Sequence, residues 1–242
     1  MIDEWDAVFH MSFITEQDKR NYLLFLKLFL KGKSYVELAY MTGVLPIAKY
    51  SDGSELNMFM EYNMATKIRF SEYYGFSDEE VDMLYRRYLE NTKNPQITRD
   101  SLREWYDGYH TASGERLYNP CSVVCVLSDN QLANYWMSSG KYASIFHYMK
   151  YNVDQIQNDL TLMFAGERIP SGIQEYAATA QELKTKEEIY SAMVVYGLLT
   201  YENGTVFIPN KELMESWFIW LQEIDIEWNV RTKKHACKVK EL

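Results

Sequence analysis

The sequence predicts an α/β segment followed by a mainly α region whose C-terminal part is winged-helix-like. Three observations carry that expectation. A short apolar start ends on two carboxylates at Asp3-Glu4, a capped amphipathic stretch follows, and an apolar run then ends at Thr42-Gly43. Strand, helix and strand in that order form the parallel α/β unit. From about residue 75 the apolar spacing becomes helical, and near the C-terminal end a turn dipeptide, Asn203-Gly204, divides two strand-like runs set between two helices.

Taken in order, residues 1–3 read as the end of a strand. Thr15 to Lys31 reads as a helix, with Thr15 as cap, Asp18 at the capping-box position and Gly32 as the stop. Ser34 to Met41 is rich in strand formers and predicts a buried parallel strand. Ser77-Asp78-Glu79-Glu80 is a full capping box, and Phe76 and Val81 hold its two hydrophobic-staple positions. Val81, Leu84, Tyr85, Tyr88 and Leu89 continue at helical spacing. Thr98 opens a further helix through Leu102, Trp105 and Tyr106, stopped at Gly108. Asn119-Pro120 is a cap with proline at the first helical position, before a short helix carrying Val123, Val124 and Leu127. Thr185-Lys186-Glu187-Glu188 is another capping box, opening a helix through Ile189, Met193 and Tyr196. Leu198–Tyr201 and Thr205–Ile208 flank the Asn-Gly hairpin turn, and Pro209-Asn210 leads into a helix with Leu213, Trp217, Leu221 and Ile224. The expected divisions are 1–75, 76–150, 151–228 and a basic tail, 229–242.

Composition narrows the functional classes. The chain has 242 residues, is 47% hydrophobic and carries a net charge of −9. That acidity disfavours broad binding to nucleic acid or to an anionic membrane. Three cysteines, an odd number without a paired framework, fit a reducing compartment. No apolar run is long enough to cross a bilayer, and the N-terminus shows no secretory pattern. These features predict a cytoplasmic protein without a membrane partner.

The chemistry-bearing motifs are few. Ile2-Asp3-Glu4-Trp5-Asp6 reads as a Walker B end, where the Asp holds Mg²⁺ and the Glu polarises the attacking water. Thr42, at the end of the neighbouring apolar run, is the candidate phosphate sensor. The chain holds no P-loop: Gly32-Lys33-Ser34 lacks a glycine five residues earlier, where Lys27 stands, and follows a helix rather than a strand. Gly140-Lys141 continues with Tyr142 and fails as well. Cys121 and Cys125 lie one helical turn apart without two further ligands nearby, so they are expected to be small core residues. His10, His110, His147 and His235 have no metal-ligand spacing. The aromatic segment Glu104–Tyr109 reads as the packed end of a helix.

Several segments in shared order resemble the bacterial AAA-ATPase-like family that is often fused to a PD-(D/E)XK nuclease-like domain. Ile2–Asp6 resembles its Walker B segment, with Trp5 where tyrosine is usual. Met41-Thr42-Gly43-Val44 resembles the end of its sensor strand, and Ser54-Glu55-Leu56-Asn57 a stretch that follows it. Phe70–Ser77 with Glu79-Glu80-Val81, Trp105–Tyr109, Tyr118-Asn119-Pro120 with Ser122-Val123, Tyr196–Leu199 and Ile208-Pro209-Asn210 are similar to its later segments.

The resemblance implies an α/β remnant of a P-loop NTPase core, preceded in complete family members by a Gly-Lys-Thr/Ser loop, and it covers most of residues 1–215. It implies Mg-ATP as the ligand of the complete member, with Asp3 as the Mg²⁺ and nucleotide residue and Glu4 and Thr42 as catalytic residues. The expectation for this chain is a fragment, a truncated reading frame or a decayed copy that does not hydrolyse ATP alone and holds no cofactor. Asp3, Glu4 and Asp6 together are expected to repel phosphate. The alternative is a non-catalytic protein-interaction module, with DNA a poorer fit. Expected partners are a protein, a separate chain supplying the P-loop, or a second copy meeting the exposed sheet edge at 34–41.

Overall fold

The computed structural model describes residues 1–11, 13–44, 56, 58–138, 153–173 and 185–223. Among these described residues, seven α-helices and two small antiparallel sheets make a mixed α/β structure. The expectations for Gly140-Lys141, His147, Cys237, His235, the 229–242 tail and most of Ser54–Asn57 lie outside the described residues.

Helix α1 spans Glu16–Leu30. Thr15 and Asp18 form a reciprocal capping box, so two N-terminal amides are satisfied by side chains. Gly32 sits at φ 66°, the left-handed conformation that ends a helix without a Cβ penalty. Leu23 and Leu26 are buried beneath α1.

Helices α2 (Asp78–Asn91), α3 (Arg99–Tyr106) and α4 (Pro120–Asp129) form a separate packed block. Ser77–Glu80 and Thr98–Ser101 are capping boxes, and the Asn119 side chain receives the Cys121 and Ser122 amides. Val81, Leu102, Tyr106, Val123 and Val126 fill the block's core without solvent exposure. An ion-pair network ties α2 to α3: Arg99 reaches Asp78 and Asp82 at 2.6 Å, and Arg103 reaches Asp78 at 3.0 Å. The Tyr118 hydroxyl donates to Asp78 at 2.7 Å, and this bond leads the effects that hold the Asp78 carboxyl down at about 2.

Strands β1 (Tyr109–His110) and β2 (Arg116–Leu117) pair antiparallel after α3. Helix α5 (Val153–Phe164) precedes β3 (Ile169–Pro170). Helix α6 (Lys186–Val195) carries the Thr185–Glu188 capping box and leads into β4 (Thr200–Glu202). Asn203 and Gly204 both take positive φ, 48° and 79°, the primed geometry that matches the twist of a hairpin. Strand β5 (Thr205–Phe207) and helix α7 (Lys211–Glu223) follow. The second sheet has the order β3-β5-β4, with Ile169 opposite Val206 and Thr200 opposite Phe207.

The buried residues do not group by chain thirds. One cluster joins Trp5, Phe9, Leu23 and Leu26 to Ile156, Leu160, Met193, Leu213 and Trp217, so the first and last parts of the chain share a core. The other cluster is the α2–α4 block. Three features join the two clusters. Gly108, at φ 115°, lets the chain pass so close to Pro209 that a Cβ would lie 2.1 Å from the Pro209 carbonyl oxygen. Lys211 pairs with Glu104 at 3.0 Å. Glu212, fully buried on α7, accepts hydrogen bonds from the Ser122 hydroxyl at 2.8 Å and from the Tyr135 and Trp136 amides at 2.8 and 2.9 Å. Burial pushes the Glu212 carboxyl upward, and these donors pull it back.

Two expectations are corrected. Ser34–Met41 is not a buried strand: only Met41 makes a bridge, parallel to Ile2, and Tyr35, Leu38 and Tyr40 stand exposed, Leu38 by 84%. A parallel strand needs a layer on each face, and among the described residues that second layer is missing here. Cys121 and Cys125 are not core residues. The inner face of α4 is taken by Ser122, Val123 and Val126, which leaves Cys121 exposed and Cys125 half-buried.

Candidate functional site

The N-terminal segment and residues 40–44 run side by side and lock through backbone bonds. The Ile2 amide donates to the Tyr40 carbonyl at 2.9 Å, the Thr42 amide to Ile2 at 3.0 Å, and the Trp5 amide to Thr42 at 2.9 Å. This short parallel register carries the acidic pair to the end of the apolar run. The Thr42 hydroxyl donates to the Asp3 carboxylate, and the Glu4 amide donates to the Thr42 hydroxyl oxygen at 3.3 Å. Glu4 itself sits at φ 50°. That is unusual for a residue with a Cβ, and strain of this kind persists where surrounding contacts impose it.

Those contacts come from Trp5 and Asp6. Trp5 is buried, stacks edge-on against Phe9 at 5.5 Å, and its carbonyl accepts the Tyr22 hydroxyl of α1 at 2.9 Å. Burial raises the Tyr22 pKa, and the nearby Asp6 charge raises it further. Asp6 is only 3% exposed and accepts the Val44 amide at 3.0 Å. Gly43 is required by this packing, because a Cβ there would meet the Trp5 ring at 2.4 Å and the Asp6 carboxylate at 2.7 Å.

The structure therefore brings Asp3, Glu4 and Thr42 together, and separates Asp6 from them. Asp3 and Glu4 are exposed at the surface, whereas Asp6 turns inward to hold the 43–44 turn. Asp3, Glu4 and Asp6 are expected to act together in repelling phosphate; the structure leaves Asp3 and Glu4 at the surface and buries Asp6. Sequence reasoning did not assign Tyr22 or Gly43 a part in the site. Gly43 had a signal, since a glycine directly after the sensor-position hydroxyl marks a close approach; Tyr22 had none beyond its place on the inner face of α1.

Among the described residues no group of three His, Cys, Asp or Glu side chains is placed to hold a metal ion. Asp3 is the exposed carboxylate that could contribute an oxygen to Mg²⁺, an ion usually held in nucleotide sites by one or two carboxylates with phosphate and water completing the shell. Gly32-Lys33-Ser34 lies after α1, with Gly32 as the helix stop, which is not the strand-loop-helix setting of a phosphate loop. No helix among the described residues is long and apolar enough to cross a membrane.

No family model, curated protein or solved structure matches the chain.

Proposed function

We propose that residues 1–44 form the Walker B and sensor side of a nucleoside-triphosphate site of the AAA-ATPase-like kind. One observation carries the reading: the Thr42 hydroxyl bonded to the Asp3 carboxylate across a parallel bridge, with the Glu4 amide on the same hydroxyl oxygen. Mg²⁺, when bound with ATP, supplies charge neutralisation at the phosphates. Asp3 would hold it, Glu4 would orient a water, and Thr42 would hold Asp3 in place and report the γ-phosphate. Asp6 and Gly43 position this group rather than touch the ligand.

Phosphoryl transfer rests on positioning and charge stabilisation, and two carboxylates without a cradle of amides and a lysine repel phosphate. The sequence shows no Gly-Lys-Ser/Thr loop with a glycine five residues before its second glycine, so in this reading residues 1–44 are a half-site whose phosphate cradle other polypeptide supplies. Calorimetric titration of Mg-ATP into the chain alone is expected to show no binding at micromolar concentration. A micromolar dissociation constant would overturn the reading. In a complex or extended chain carrying a Gly-Lys-Ser/Thr loop, Asp3→Asn and Glu4→Gln are each expected to abolish hydrolysis.

A second reading is a non-catalytic protein-interaction module, cytoplasmic and without a cofactor. It is supported by the exposed apolar residues of α1 and of 35–40. The order α6, β4, β5, α7 supports a winged-helix-like part, and the net charge of −9 makes protein a better partner for it than DNA.

A further inference from the structure

The outer face of α4 carries two thiols that packing does not explain. A free cysteine is among the most often buried residue types and behaves as a small hydrophobe. Here Ser122, Val123 and Val126 fill the inner face of the helix, while Cys121 stands exposed and Cys125, one turn further on, is half-buried. Residues four apart on a helix share a face, with their side chains one above the other. The two thiols are in contact: burial raises the Cys125 thiol first, and the Cys121 side chain hydrogen-bonded to it raises it further. The carboxylates of Asp129 and of the buried Glu212 act on Cys125 in the same direction.

Three uses of such a pair separate on physical grounds. A reactive thiolate sits in electropositive surroundings, and Cys125 has the Asp129 and Glu212 carboxylates as neighbours instead. A disulfide needs Cβ atoms about 3.5–4.5 Å apart, whereas neighbours four apart on a helix stand about 5–6 Å apart, so oxidation would distort α4. A bridging cation meets neither obstacle. Two metal–sulfur bonds of about 2.3 Å each span more than one sulfur–sulfur bond of about 2 Å. The neighbouring carboxylates favour positive charge at this place. Thiolates are soft donors and select soft ions. Zn²⁺ in a structural site takes four ligands, and among the described residues no third His, Cys, Asp or Glu joins the pair. Cu(I) is a soft ion that two sulfurs satisfy.

We propose that Cys121 and Cys125 form a two-sulfur chelate for Cu(I) on the outer face of α4. On binding, each thiol gives its proton to solvent and each sulfur gives an electron pair to the ion. The copper stays monovalent, and the bis-thiolate complex carries one net negative charge. The pair belongs to the α2–α4 block, whose core is separate from the cluster that holds Trp5, so the inference goes beyond the nucleotide reading.

The test uses the full chain, reduced and then titrated without oxygen with Cu(I) held by bathocuproine disulfonate under ascorbate. The native chain is expected to take one Cu(I) from the chelator. Cys121→Ser is expected to weaken that binding by about a hundredfold or more, because the second sulfur of a chelate binds intramolecularly. Its fold is expected to survive, since Cys121 is exposed. Cys125→Ser is expected to act alike, and Cys237→Ser to change nothing. Cu(I) is also expected to raise the melting temperature of the native chain and not that of Cys121→Ser, which separates binding by the folded protein from capture by an unfolded one. X-ray absorption is expected to show two sulfurs and no nitrogen at the copper. Undiminished binding by Cys121→Ser, or loss of binding in Cys237→Ser, overturns the proposal. So does a Zn²⁺-dependent dimer that Cys121→Ser dissolves, since the pair would then be half of a four-thiolate site between two copies.

Discussion

Helix α1 and helix α2 are built from the same local rules and meet different fates. Both open with a reciprocal capping box and both run about four turns. Yet α2 sits in a block whose core residues Val81, Leu102 and Tyr106 have no exposure, whereas α1 buries one face and leaves Phe25 and Leu28 in solvent. The difference teaches that a cap and an apolar stripe make a helix, but only a second layer makes a core. Among the described residues, α1 is locally complete but open on its outer side, whereas the α2–α4 block packs around its own core.

The largest effects are expected where a buried core is cut. Trp217 is 1% exposed and its indole N–H donates to the Leu198 carbonyl at 3.1 Å. Trp217→Ala is expected to cost about 3–5 kcal/mol by cavity formation and an orphaned carbonyl. Phe25→Ala on the open face, also a large aromatic, is expected to stay within about 0.5 kcal/mol. Urea unfolding of the two variants measures the contrast directly, and equal losses would mean that the outer face of α1 is covered after all.

Two glycines sharpen the same contrast. Gly108 combines φ 115° with a Pro209 oxygen 2.1 Å from where a Cβ would stand, so Gly108→Ala must move backbone that joins the two cores. Gly32 has φ 66° with no atom within 4 Å of an added Cβ, so Gly32→Ala meets only the left-handed conformational penalty. The expected losses are about 3 kcal/mol or more for Gly108 and about 1 kcal/mol for Gly32. A thermal-melt series in which Gly32→Ala costs as much as Gly108→Ala would show that the α1 terminus is as tightly packed as the Gly108–Pro209 crossing.

What was legible in the sequence follows the same division. The capping boxes at Thr15, Ser77 and Thr185, the Asn119-Pro120 start and the Asn203-Gly204 turn are local chemistry, and each stands where the spacing places it. Ser34–Met41 was misread because strand-forming residues only suit a parallel strand if neighbouring layers bury them, and no residue in the run states whether those layers exist. Cys121 and Cys125 were misread for a related reason: helical spacing tells that two residues share a face, not which face is inner. At the candidate site, Asp3, Glu4 and Thr42 were legible as residue types at the ends of two apolar runs. The inward turn of Asp6 was not, because it depends on the Val44 amide arriving from a segment 38 residues away.

The smallest effect expected is a pH response at the seam where β1 meets the second sheet. His110 is buried, packs edge-on against Phe207 at 5.5 Å, and its amide donates to the Thr200 hydroxyl at 2.8 Å. Its Nδ1 lies 3.0 Å from a Glu202 carboxylate oxygen but without hydrogen-bond geometry, and Glu202 is already engaged by Arg168. Burial is the main cause that lowers the His110 pKa; Glu202 and Asp107 oppose it, and Arg168 and Arg116 add to it. The sign follows from linkage: a histidine whose pKa is lower folded than unfolded binds its proton more readily in the unfolded chain. Stability from the neutral ring is therefore full above the ordinary value of 6.5 and is lost as pH falls from there through the lowered folded value. Chemical unfolding at pH 7 and at pH 5 is expected to show a larger loss for the native chain than for His110→Gln, which removes this proton but keeps the backbone bond to Thr200. Identical losses in the two proteins would mean that Glu202 compensates the charge fully, and that the seam between β1 and the second sheet carries no pH dependence.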